Sequence, residues 1–67
     1  MKNQYMIVKH TPENGTLYYN DDHKIFTCVP AHAEKYTNKK TAEAAAKYAS
    51  KYASGCELPG EIEIIKL

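Results

Sequence analysis

The stretch Asn38-Lys-Lys-Thr-Ala-Glu-Ala-Ala-Ala-Lys-Tyr-Ala-Ser-Lys-Tyr-Ala-Ser-Gly55 decides the fold. It reads as a single helix. Asn38 stands where an N-cap belongs, its side chain placed to accept from the amide of Thr41. Gly55 stands at the C′ position, where a left-handed residue closes a helix, and Leu58 follows to pack back on the last turn. On a helical wheel Ala42, Ala45, Ala46, Ala49 and Ala53 form one stripe. Tyr52 lies on a shoulder of that stripe and Tyr48 further out on the same side. Glu43, Lys47, Ser50, Lys51 and Ser54 cover the opposite side. Alanine brings almost no volume to an interface, so whatever lies beneath the stripe must come close.

Working outward, Gln4 to His10 is a strand, with Tyr5 and Ile7 on one face and Met6 and Val8 on the other. Apolar residues on both faces suit a central strand. Thr11-Pro-Glu-Asn-Gly15 is a turn: Pro12 presets the first corner, and Asn14-Gly15 tolerate positive φ. Thr16 to Asn20 is a second strand, with Leu17 and Tyr19 opposite Thr16 and Tyr18. A polar turn, Asn20-Asp-Asp-His23, leads to a third strand from Lys24 to Val29, where Ile25, Thr27 and Val29 alternate with Phe26 and Cys28. Pro30 ends it, because proline cannot donate to a ladder. Ala31 to Thr37 has room for one loose helical turn. After the helix, Pro59-Gly60 turns the chain into Glu61 to Leu67, a strand with one wet face.

The expected architecture is α+β, a single small domain over residues 1–67. A three-stranded antiparallel meander carries one helix on one sheet face, and the C-terminal strand joins the sheet, giving the order β-β-β-α-β. If the last strand docks beside the first, it is expected to run parallel to it and to make the sheet mixed. One helix covers one face only, so the other face stays open.

A chain of 67 residues buries about 60% of its unfolded surface and is marginal alone. A partner, or a second copy, therefore has stability to contribute. The net charge is +1 and all nine basic residues are lysine. A weak overall field argues against an acidic DNA mimic and against a strongly basic clamp. Arginine, which supplies the bidentate fork for guanine edges, is absent from the sequence. The amino-terminal stretch has no long apolar run, so neither a signal peptide nor a membrane span is expected, and the address implied is the cytoplasm. There Cys28 and Cys56 would be reduced, and they read as partly buried packing residues rather than as a disulfide.

No catalytic constellation stands out. His10, His23, His32, Cys28 and Cys56 are ligand types without a paired spacing, so no metal or other cofactor is expected. A cysteine nucleophile needs a base and an oxyanion site. Cys56 instead follows a helix C-terminus, whose partial negative charge opposes the thiolate. The chain therefore reads as a binding protein and not as an enzyme.

Two surpluses remain. The first is lysine at the helix start, Lys35, Lys39 and Lys40, where free amides add to the charge and suit an anion. The second is tyrosine. Tyr5, Tyr18, Tyr19, Tyr36, Tyr48 and Tyr52 do not all fit beneath a helix faced with alanine, so some belong at the rim or on the open sheet face beside Phe26 and Met6. Exposed aromatics are the usual anchors of protein interfaces. The partner-binding candidates are accordingly Tyr18, Tyr19, Tyr36, Tyr48, Tyr52, Lys35, Lys39 and Lys40. The expected partner is a protein, either foreign or a second copy that pairs sheet faces or edges. The alternative is a nucleic acid held by Lys35, Lys39, Lys40, Lys47 and Lys51.

The chain as a whole resembles small accessory proteins encoded by bacteriophages. In that group a hairpin or meander precedes a Tyr/Phe-Thr-x-Lys-Lys-x-Ala helix start, here Tyr36-Thr-Asn-Lys-Lys-Thr-Ala42, and a short acidic-aliphatic strand follows, here Glu61-Ile-Glu-Ile-Ile-Lys-Leu67. The resemblance implies a non-enzymatic role in the host cytoplasm: binding, and modulating or inhibiting, a host enzyme or defence factor. Lys39-Lys-Thr-Ala42 is also similar to the helix start of double-stranded-RNA-binding domains, where the lysines straddle phosphates. That likeness covers about one helix; the helix that precedes it in that family is missing, and an extra strand follows.

Overall fold

A computed structural model describes residues 4–67. It has strands β1 (Tyr5–Thr11), β2 (Gly15–Asn20), β3 (Ile25–Thr27) and β4 (Glu61–Lys66), a 3-10 turn at Pro30–His32, and one helix, α1 (Lys39–Tyr52). The strands form one sheet in the order β3-β2-β1-β4. The α+β class, the meander, the single helix and the place of the last strand in the sheet are as the sequence implies.

The direction of β4 is not. It pairs antiparallel with β1, with Glu61 opposite His10 and Lys66 opposite Tyr5, so the sheet is wholly antiparallel. The reason lies in the two connections. Residues 28–38 carry the chain to the start of β1, where Tyr36 and Tyr5 exchange backbone hydrogen bonds of 2.7 and 2.8 Å. The helix starts from there and ends at the outer edge of β3, where Ser54 bridges Ile25. Residues 55–60 then deliver Glu61 to the far end of β1.

The end of the third strand and the end of the helix also move. Cys28 and Val29 leave the third strand, which stops at Thr27, and Cys28 becomes exposed rather than a packing residue. Asn38 caps the helix as expected, its Oδ1 accepting from the amides of Lys40 (2.7 Å) and Thr41 (3.4 Å). At the other end Ala53, not Gly55, leads out of the helix, with extended dihedrals of −70° and 150°. Ser54 then pairs with the β3 edge, donating to the Lys24 carbonyl and accepting from the Phe26 amide. Gly55 takes its positive φ of 95° one residue later than a C′ position, turning the chain away from that edge.

The core lies between the alanine stripe and one sheet face. Ile7, Leu17, Tyr19, Phe26, Ala49 and Ala53 are buried together, with Ala45, Ala46, Leu58, Ile62 and Ile64 packed around them. Ala42 and Ala49 are wholly buried. Phe26 therefore faces the helix and not the open face. Small residues on the helix leave volume that large residues on the sheet occupy: Tyr19 and Phe26 meet with ring centroids 5.5 Å apart, tilted by 51°. Protein interiors are close-packed, so small residues on one element are matched by large ones on the element that faces it.

One polar residue joins this face. Lys9 follows Ile7 at strand period and is 3% exposed. Its Nζ donates to the Gly55 carbonyl (3.2 Å) and the Cys56 carbonyl (3.0 Å) and sits 5.3 Å from the centre of the Phe26 ring. A buried ammonium is costly unless its hydrogens find acceptors. Here the loop that follows the helix supplies them, so Lys9 ties that loop down across the sheet.

Candidate functional site

With Tyr19 wholly buried, the tyrosine surplus sorts itself differently from the expectation. Tyr19 is a core residue, because the alanine stripe makes room for its ring, and it offers no contact area to a partner. Its hydroxyl donates to Asp21 Oδ1 at 3.2 Å. Burial, and then the Asp21 carboxylate, push its pKa up to about 12. Tyr36 is half-buried, and its hydroxyl is enclosed with no hydrogen-bond partner among the described residues. Burial and Asp21 raise its pKa as well. Tyr5 and Tyr18 are half-buried along the strands. On the open face Val8 is wholly covered, lying between Tyr18 and Glu63 in the register.

Tyr48 and Tyr52 remain. They are 44% and 69% exposed, and their spacing of one helical turn places them side by side. The rings are 5.2 Å apart and tilted by 46°. Lys24, at the end of the β2–β3 turn, sets its Nζ 5.7 Å from the centre of the Tyr48 ring. The same Nζ is 3.0 Å from Asp21 Oδ1. Asp21 thus accepts from both Tyr19 and Lys24, and links the buried ring to the exposed pair. Lys24 has a positive φ of 52°, a geometry that costs an ordinary residue about 1 kcal/mol. The cation–π contact with Tyr48 offsets part of that cost, at about 0.5–1 kcal/mol for an exposed site. Two further exposed apolar residues, Ile25 and Val29, belong to β3 and the segment just beyond it.

The lysines are less focused. Lys35, Lys39, Lys40, Lys47 and Lys51 are all exposed. Lys40 and Lys47 border a shallow surface depression, but Glu43 and Ala44 complete its lining. An acid set among the bases mixes the local field.

Among the described residues, no group of three or more His, Cys, Asp or Glu side chains converges on one point. Cys28 and Cys56 are free thiols, the second half-buried. His10 Nε2 and Glu63 Oε1 stand 2.7 Å apart on the open face as an exposed pair. No described helix is long and apolar enough to cross a membrane.

Sequence reasoning missed Lys9, Lys24 and Asp21. Strand phase marks Lys9, which shares the face of Ile7. Nothing local marks Lys24 or Asp21, whose roles depend on where the helix passes the β2–β3 turn. Comparison with protein-family models, curated proteins and solved structures finds no match.

Proposed function

We propose that this chain is a small non-enzymatic binding protein, of the kind bacteriophages encode, that docks on a host protein and modulates or inhibits it. The observation that carries the reading is the exposed Tyr48–Tyr52 pair with Lys24 against it. Tyrosine supplies large, rigid contact area at low entropic cost, and such residues dominate interface energies when a polar rim shields them. Lys24, ion-paired with Asp21 at 3.0 Å, and the exposed Lys51 make that rim polar and mixed in charge. The partner surface that fits is an apolar pocket with a polar edge.

The test is capture from a bacterial lysate on immobilised protein, beside a Tyr48→Ser/Tyr52→Ser double variant. Both side chains are exposed, so the variant should keep its stability within about 0.5 kcal/mol. The reading expects one stoichiometric protein that survives nuclease treatment, is held by the parent chain and is lost from the variant. Equal retention by both would refute it. So would capture of nucleic acid alone, with affinity falling steeply as salt rises, the signature of phosphate contacts by the lysines.

A further inference from the structure

The two edges of the sheet are finished differently. At the β3 edge the outward Phe26 amide is taken by the Ser54 carbonyl, so that edge is closed by the chain itself. At the β4 edge nothing comparable occurs. Leu67 donates to the Gln4 carbonyl at 2.7 Å, which fixes the phase of the ladder: alternate residues of β4 point their backbone groups toward β1, and Ile62, Ile64 and Lys66 point theirs outward. Among the described residues, none of these outward amides and carbonyls has a hydrogen-bond partner. Ile62, Ile64 and Ile65 are only half-buried. A free strand is a template for pairing, and the exposed Glu61, Glu63 and Lys66 of β4 restrict which registers it tolerates.

The geometry points to a second copy of this chain as the occupant, with β4 pairing antiparallel to β4 of the copy about a two-fold axis through Ile64. The sequence of the strand selects this register. Pleat alignment requires residues of the same face to lie opposite each other. With Ile64 on the axis, Ile64 faces Ile64 of the copy and Ile62 faces Lys66 of the copy. Each such pair exchanges both backbone bonds, so every outward group of β4 is used. On the other face Glu63 falls beside Ile65 of the copy, and no like charges stand directly opposite. A shift that centres Glu63 would oppose two carboxylates at about 5 Å, which is destabilising. A shift that centres Ile65 carries Ile62 past Lys66, where the strand of the copy ends. The His10–Glu63 contact of 2.7 Å also draws the carboxylate toward β1 and away from the joint. The product is two four-stranded sheets joined into one, with both helices on the same face. The Tyr48–Tyr52 pairs, beside the β3 edges, sit at its two far ends. This pairing does not depend on the function proposed above.

Sedimentation equilibrium from micromolar to millimolar concentration tests it, with Lys66→Pro as the variant. Lys66 is exposed and its N–H points outward, so proline there removes no bond to β1. The parent chain should reach twice the monomer mass, and the variant should stay at the monomer mass. Register is tested separately in a Cys28→Ser/Cys56→Ser background under mild oxidation. A mixture of Glu63→Cys and Ile65→Cys chains should cross-link, because directly opposite residues on that face lie about 4.5 Å apart between Cα atoms. Either chain alone should cross-link at least tenfold less. A parent chain that stays monomeric at millimolar concentration overturns the inference, as does a dimer indifferent to Lys66→Pro. Glu63→Cys chains that cross-link best to themselves overturn the register.

Discussion

Replacing Ala49 with leucine tests how the helix is seated. Ala49 is wholly buried and packs with Ile7, Leu17, Tyr19 and Phe26. If space existed there, the larger side chain would contribute about 2 kcal/mol of transfer free energy. Tyr19 and Phe26 already fill it. The added carbons must then displace the helix or force strained rotamers, at a net cost of about 1–3 kcal/mol. In a domain of this size each kcal/mol lowers Tm by about 4–8 °C, so the fall should be roughly 5–20 °C. Ala44 is the internal control: it is exposed on the same helix, and leucine has nearly the helix propensity of alanine. Ala44→Leu should stay within about 0.5 kcal/mol of the parent. Circular dichroism melts with urea titrations give both values. An Ala49→Leu chain as stable as the parent would refute close seating of the helix on the sheet.

Three more outcomes follow from single residues. Gly60, with φ of 152°, would drive an added Cβ into the His10 carbonyl oxygen, whereas Gly15 has open space around it. Gly60→Ala should therefore cost more than about 2 kcal/mol, and Gly15→Ala about 1 kcal/mol for its left-handed φ alone, as urea midpoints will report. Lys9→Met keeps the buried stem but removes the donors to Gly55 and Cys56. Hydrogen bonds from a charged group contribute about 1.5–3 kcal/mol, so the variant should lose about 1–3 kcal/mol and its Cys56 and Leu58 amides should exchange hydrogen faster than in the parent. Tyr19 has its pKa raised from 10.0 to about 12 in the folded chain. Its contribution is complete below pH 10 and is lost as pH rises toward 12; alkaline titration of stability should show this fall, weakened in Tyr19→Phe.

The helix was legible because its signals are local. The Asn38 cap and the alanine spacing lie within one stretch, and so does the period-2 alternation of each strand. What depends on distant geometry was not legible. The direction of β4 hinged on where residues 28–38 and 55–60 travel, and neither segment has a repeating pattern. The end of the helix was displaced because Ser54 finds a partner on β3, a contact between residues far apart in the chain. The fate of the tyrosines turned on volume. The alanine stripe implies that six tyrosines do not all fit beneath it, and the space it leaves is what one of them, Tyr19, fills. The wheel alone puts both Tyr48 and Tyr52 beside the stripe but sets Tyr48 further out, whereas Tyr48 is the less exposed of the two, 44% against 69%, with Lys24 over its ring. The Lys24 and Asp21 side chains that flank them come from a turn the wheel does not describe.

Site-specific photo-crosslinking inside bacterial cells reads out directly whether the Tyr48–Tyr52 face meets a host protein. A benzophenone amino acid replaces Tyr52 in one chain and Glu13 in another; Glu13 is exposed in the β1–β2 turn, where no partner is expected. One discrete cross-linked host protein should form from the Tyr52 position, be abolished by adding Tyr48→Ser, and be absent from the Glu13 position. Equal cross-linking from both positions, or none from Tyr52 while the chain still binds its partner, would contradict docking through this face.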